Sequence, residues 1–123
     1  MRILKEKRKF RVGKNNDITL KQAASIQMLK NENISIYFDK FVNYDITKKD
    51  WGFYCLPSIN KRLKRFNLKA VLTRNNRLNT FFIMLVVNEK KLIKKFKNYC
   101  KKEDLKLITW LDVKNLHKIK KIF

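Results

Sequence analysis

The sequence predicts an α+β fold, with a mainly antiparallel sheet of about six to eight strands and two principal helices. Several short segments alternate apolar and polar residues, a pattern typical of half-buried strands. Two longer segments repeat apolar residues at helical spacing. Along the chain the order is several strands, a helix, two strands, a helix, a strand and a basic tail. This order favours a single domain, with two helices packed on the sheet.

The N-terminal half is predicted to hold short strands. Residues 1–11 are rich in Lys and Arg and are expected to form a basic arm or a poorly ordered edge strand. Alternating residues at 24–29 and 34–39 flank the Asn-rich segment Lys30–Asn33, so an antiparallel hairpin is expected there. A further strand is expected at Phe41–Thr47.

The middle of the chain is predicted to contain the first helix and the central strand. The helix should begin at Pro57 and end near Phe66, because Pro and Ser suit a helix start and the apolar residues between share one stripe. The apolar run Phe81–Val87 predicts a strand covered on both faces in the middle of the sheet. A strand at Lys69–Thr73 should precede it.

The C-terminal part predicts a second helix, a last strand and a tail. Glu89 to about Glu103 keeps one apolar stripe with lysines outside it, so this is the clearest helix. Leu105–Trp110 is the expected last strand, and Asp112 should cap a short basic helix. The domain proper is expected to cover residues 12–112, between the arm at 1–11 and the tail or short helix at 113–123.

The net charge of +21, from 31 Lys and Arg against 10 Asp and Glu, is the first functional lead. Such a charge is typical of proteins that bind nucleic acid or an anionic membrane surface. However, the chain is rich in residues with AT-rich codons, and only 7 of the 31 cations are Arg, the residue best suited to phosphate and guanine. We therefore interpret most of the charge as genome composition, with non-specific binding of polyanions at low salt.

Few residues indicate catalysis or a cofactor. With two Cys, one His and two Gly, the chain lacks the ligand set of a structural zinc site and any Gly-rich phosphate loop. We expect no metal, no cofactor and two reduced thiols, Cys55 and Cys100. A secretory signal and a membrane span are not expected, which favours the cytoplasm. Whether the protein is an enzyme is left open, and the sequence leans against it.

One segment groups residues that suit an anionic ligand. A helix starting at Pro57 would direct free N–H groups toward a phosphate or carboxylate, and an aromatic ring beside it could stack on a base or a sugar. The alternative is that the aromatic residues plug the end of the sheet and Ser58 only caps the helix. The candidate ligand-binding residues are Trp51, Tyr54, Ser58, Asn60, Lys61 and Arg62.

The same segment resembles a family of small uncharacterised bacterial proteins. The resemblance rests on the central pattern K-x-W-G-F-Y-x-x-P-S-x-N-x-R-L, which runs from Lys49 to Leu63, and extends more weakly from about Arg11 to Asp112. Outside this pattern the chain differs from the family at Asn67 and other polar positions, where relatives carry Gly, and in its extended basic tail. Genes of this family often lie in clusters for surface polysaccharide and nucleotide-sugar biosynthesis. The resemblance therefore implies a genomic context, but it implies no particular reaction.

These observations lead to three functional expectations. The first is a cytoplasmic accessory or ligand-binding protein of surface-polysaccharide metabolism. Its ligand would be a nucleotide sugar or another phosphorylated or anionic compound, and it would have a protein partner in that pathway. The second is an RNA-binding or ribosome-associated protein. The third is an enzyme acting on a sugar nucleotide, for which no nucleophile or base can be named.

Overall fold

The computed structural model describes residues 1–55 and 58–122, apart from the side chain of Glu6. Within this part of the chain there are eight strands and three helices, which confirms the α+β class. The elements are β1 (Arg2–Val12), β2 (Ile18–Gln27), β3 (Asn33–Tyr37), β4 (Asn43–Lys49), β5 (Gly52–Tyr54), α1 (Arg62–Arg65), β6 (Leu68–Asn75), β7 (Thr80–Val87), α2 (Lys90–Lys102), β8 (Leu105–Trp110) and α3 (Val113–Lys120).

The strands are divided among three sheets rather than one, with the orders β1-β2, β3-β4-β5 and β7-β6-β8. The chain forms two compact units. The first comprises Met1–Ile34 and Asp45–Cys55, and the second comprises Ser35–Tyr44 and Leu56–Phe123. The hairpin of β3 and β4 therefore has its base in the first unit and its tip in the second.

The first unit is built on a long hairpin of β1 and β2. Its turn has Gly13 and Asn16 in the left-handed region, with φ of 98° and 53°, and the Asn16 amide donates to the Gly13 carbonyl at 3.1 Å. The predicted hairpin of residues 24–29 with 34–39 is wrong, because β2 pairs with β1. Residues 2–11 lie in β1, a strand with one hydrogen-bonded neighbour, so of the two expectations for this segment the structure shows the edge strand.

The base of the β3–β4 hairpin is fixed by backbone bonds around Glu32. Its amide and carbonyl bond to Leu29 and Lys48, and the Leu29 amide donates to the Glu32 carboxylate at 2.5 Å. This backbone bond, with the Met1 amine 3.1 Å from the carboxylate, lowers the pKa of Glu32. The turn before β3 is thereby held by one charged side chain.

The sheet of the second unit is centred on β6 and not on β7. Val71 and Thr73 of β6 are fully buried, since β6 has a hydrogen-bonded neighbour on each side. The prediction that Phe81–Val87 is the covered central strand is wrong, because β7 is an edge strand. Its last two residues are buried, whereas Phe81 and Ile83 are more than half exposed.

The two faces of this sheet are packed differently. On one face, Leu63 of α1 and Val42 of the β3–β4 tip pack against β6 and β7. On the other face, α2 packs with the Phe96 ring 6.0 Å from the Trp110 ring of β8. The buried residues of the first face are Val42, Leu63, Leu68, Ala70 and Val87.

The C-terminal predictions hold closely. The second helix runs from Lys90 to Lys102 between caps at Glu89 and Glu103, and the last strand has the predicted bounds. Asp112 caps α3, since its carboxylate accepts from the Asn115 amide at 2.9 Å. These segments have strong periodicity and clear boundaries, which local sequence specifies well.

Asn occupies several backbone positions that Gly usually fills. Among the described residues, five non-Gly residues have φ between 52° and 64°: Asn16, Asn31, Asn67, Asn79 and Asp104. Asn tolerates this region better than other side-chain-bearing residues, because its short amide bonds locally. Asn67, which follows the C-cap Phe66, thus forms the left-handed turn that ends α1.

We expect Asn67→Gly to leave the free energy of unfolding unchanged or to raise it by up to ~1 kcal/mol, and Asn67→Val to lower it by ~1–2 kcal/mol. Urea denaturation measures both. Asn98 is exposed within α2 and serves as the control, because Asn98→Gly should lower stability by a few tenths of a kcal/mol. Equal effects of Gly at the two positions would contradict the left-handed turn.

Candidate functional site

The segment expected to hold an anion is a turn followed by one turn of helix. Pro57, the predicted helix start, lies outside the described residues, and α1 covers only Arg62–Arg65, so the predicted helix of about ten residues is wrong. The Ser58 carbonyl accepts from the amides of residues 61, 62 and 63, and the Ser58 hydroxyl accepts from the Arg62 amide at 3.0 Å. Ser58 thus organises the turn, but it does not cap α1, whose N-cap is Lys61 without a side-chain cap bond.

A helix of four residues sums few peptide dipoles, so its N-terminus adds little to anion binding. Any attraction for an anion must come from side chains. Lys61, Arg62 and Arg65 are all exposed, and they follow each other at the spacings of one helical face.

These cations line one cavity of about 500 Å³, which we call the cationic cavity. It contains no acidic side chain among the residues that line it. The Arg62 guanidinium lies over the Phe66 ring, 5.7 Å from its centroid, so its planar group is oriented. The lining residues are Ser58, Lys61, Arg62, Arg65 and Phe66.

Asn60 lies elsewhere. It lines a second cavity of about 240 Å³, together with residues of β6 and the start of α3. This mixed cavity has apolar walls, such as Ile59 and Leu111, and its rim includes Lys64 and Lys114. The structure therefore groups three of the predicted site residues, Ser58, Lys61 and Arg62, and separates Asn60 from them.

Trp51 and Tyr54 belong to the first unit. Their rings contact each other edge to face, with centroids 6.4 Å apart, and both are more than half exposed. They do not plug the end of a sheet. Gly52 between them has φ of 146°, and a Cβ there would meet no atom within 4 Å, so its backbone conformation and not a close approach explains the glycine.

Sequence reasoning missed Arg65 and Phe66. Arg65 follows Lys61 by four residues and Arg62 by three, a spacing that places side chains together on a helix. The helical spacing of Ile59, Leu63 and Phe66 predicts that all three share one buried stripe, but Phe66 is only half-buried and lines the cationic cavity. Helical periodicity could therefore have placed Arg65 beside Lys61 and Arg62. The same periodicity wrongly predicts that Phe66 is buried.

Chemical groups for catalysis are sparse in the described part of the chain. No group of three or more His, Cys, Asp or Glu residues there could hold a metal ion. His117 is exposed on α3. Among the helices described, none combines the length and apolar character needed to cross a bilayer.

Comparisons with protein-family models, with curated proteins and with solved structures find no match to this chain.

The cationic cavity depends on Leu63, which is fully buried while its neighbours in α1 are exposed. We expect Leu63→Ala to lower the free energy of unfolding by ~2–5 kcal/mol, because truncation leaves a cavity in the core. Leu78→Ala is the control, since Leu78 is 63% exposed and its loss should cost under ~0.5 kcal/mol. Chemical denaturation of both variants checks this, and equal costs would show that Leu63 does not anchor α1.

The two thiols should differ sharply in reactivity. Cys55 is exposed, whereas Cys100 is buried, and desolvation raises the pKa of the Cys100 thiol. A thiol-reactive dye should therefore modify Cys55 rapidly in the folded protein and Cys100 only after unfolding. Mass spectrometry of the labelled peptides, with Cys55→Ser as the control, measures this. Rapid labelling of Cys100 in native buffer would contradict its burial.

Proposed function

We propose that this protein binds a phosphorylated small molecule in the cationic cavity and acts as an accessory protein of surface-polysaccharide or nucleotide-sugar metabolism. The observation that carries the proposal is the lining of that cavity, which has three cations and no acid. The assignment to a glycan pathway rests on the resemblance of the Lys49–Leu63 segment alone.

The charge of the cavity suits phosphate because nothing in its lining opposes it. Arg62 and Arg65 offer planar guanidinium groups that can each bind two phosphate oxygens, and Lys61 adds a compact charge. The surrounding sequence strengthens this, because no Asp or Glu occurs between Asp50 and Glu89. An anion in this cavity would therefore meet a positive field from neighbours as well as from the lining.

The size of the cavity favours a ligand larger than free phosphate. A volume of about 500 Å³ lies within the range of small-molecule sites, roughly 300–1,000 Å³. Phe66 provides an apolar wall beside the cations, which suits a sugar or base attached to the phosphate. A nucleotide sugar combines these features, with a diphosphate between two ring systems.

Binding can be tested by calorimetry and by thermal unfolding with UDP-glucose, GDP-mannose and inorganic phosphate. A ligand at 100 times its dissociation constant should stabilise the protein by ~2.7 kcal/mol. We expect Arg65→Ala and Arg62→Ala to abolish this stabilisation, because each removes a bidentate phosphate contact. Arg65→Lys should retain part of it, since the charge remains.

Two controls separate a site from general charge. Lys95→Ala removes one exposed cation from α2 and should leave binding intact. Uridine, which lacks phosphate, should not stabilise the protein. The proposal fails if no phosphorylated compound stabilises the wild type at physiological salt, or if Lys95→Ala and Arg65→Ala weaken binding equally.

A further inference from the structure

Part of the sheet in the second unit lies open to solvent, on the face opposite α2. Register places Arg74 beside Phe81 of β7 and beside Lys106 of β8, so these three side chains form one row across the sheet. Leu72 and Ile83 form the next row on the same face. We call this surface the open sheet face; it consists of Leu72, Arg74, Phe81, Ile83 and Lys106.

The open sheet face lies on the same side of the sheet as the core formed with α1, and it begins where that core ends. Along β6, Leu68 and Ala70 lie under Leu63 and Val42 in the core. Leu72 and Arg74 follow Ala70 by two and four residues, so they lie on the same face, and both are half-buried. Phe81 is 59% exposed and Ile83 is 53% exposed. An aromatic ring and an aliphatic side chain are thus presented to solvent on the edge strand β7, with Arg74 on the neighbouring strand and Lys106 on the strand beyond it.

Arg74 is held in position with its charge intact. Its guanidinium donates to the Asn79 side-chain oxygen at 3.0 and 2.8 Å and to that of Asn76 at 2.9 Å. Both acceptors are neutral amides, and the Asn76 amide in turn donates to the Asp104 carboxylate at 3.2 Å, so the guanidinium is oriented by a network in which its direct partners carry no charge. A cation that is already ordered loses less entropy when it binds a phosphate.

We infer that the open sheet face binds single-stranded nucleic acid. An exposed ring on an antiparallel sheet is a platform on which a base stacks, whatever its identity. Arg74 lies one strand spacing from the ring and Lys106 lies two, at ~4.8 Å per strand, so both are placed to meet the backbone phosphates near that base. Charge complementarity decides the occupant, because Arg74 and Lys106 share the open sheet face with the ring and none of the five residues of this face is acidic.

A second copy of the chain is a weaker fit to this face. Two copies paired through it would bring the cations Arg74 and Lys106 of both chains into one interface, on chains that each carry +21. Like charges brought together across an interface are destabilising. A polyanion removes this repulsion, whereas self-association increases it.

The test uses fluorescence anisotropy with labelled RNA and DNA strands of about 12 nucleotides, within the range of known single-strand sites. At about 0.15 M salt, Phe81→Ala and Phe81→Leu should each raise the dissociation constant on the order of tenfold. The reason is that stacking of a base on an aromatic ring increases the affinity by about tenfold or more. Phe81→Tyr should bind like the wild type, because it keeps the ring. A preference for RNA or for DNA identifies which of the two nucleic acids the face binds. Binding of either one supports the inference.

Two matched controls give the experiment its specificity. Phe41 is 78% exposed on the β3–β4 tip, so Phe41→Ala removes an exposed ring away from the face and should have no effect. Lys94→Ala removes one exposed charge from α2 and should weaken binding much less than Lys106→Ala. Far-ultraviolet circular dichroism and melting curves check that each variant is folded.

Two results would overturn the inference. If Lys94→Ala and Lys106→Ala weaken binding equally and the Phe81 variants do not, the attraction is a property of net charge only. If sedimentation shows an oligomer of the wild type that Phe81→Ala dissociates, with no change in nucleic-acid binding, the face belongs to a second copy. Neither result bears on the cationic cavity, whose test uses Arg62 and Arg65.

Discussion

The burial of Leu63 is the contact on which the second unit's candidate site depends. α1 has only four residues, too few to be stable by its own hydrogen bonds. It persists because Leu63 fills the core against β6 and β7, while Ser58 and Asn67 define the turns on either side. With one apolar residue pointing inward, the cations around it are forced outward, which is how a single turn presents three charges to one cavity.

The sequence predicted elements better than it predicted their neighbours. The periodicity of α2 and the alternation of β8 specify local conformation, and both were located well. The partner of β2 was wrong because alternation indicates a strand without naming the strand it pairs with. The apolar run of β7 was misread for a related reason: seven apolar residues indicate burial, but whether a strand is central depends on pairing with distant residues.

The candidate site was predicted in part, for reasons that can be traced to single residues. Ser58, Lys61 and Arg62 are close in sequence, and a local turn is enough to bring them together. Asn60 turns to a different cavity, because alternate residues of a tight turn face different directions. Trp51 and Tyr54 were included because they are near in sequence, yet they lie in a different compact unit. Closeness in sequence therefore predicted closeness in space only for residues of the same turn.

The distribution of charge changes the meaning of the +21. Spread evenly, 31 cations would indicate composition alone. Yet between Asp50 and Glu89 the chain has no acid, and four of its seven Arg lie at 62, 65, 74 and 77. Lys enrichment through AT-rich codons explains neither the missing acids nor this grouping of Arg. Two of these Arg line the cationic cavity and a third lies on the open sheet face. The informative part of the charge is thus a single acid-free segment, which supplies cations to both surfaces for which we propose a ligand.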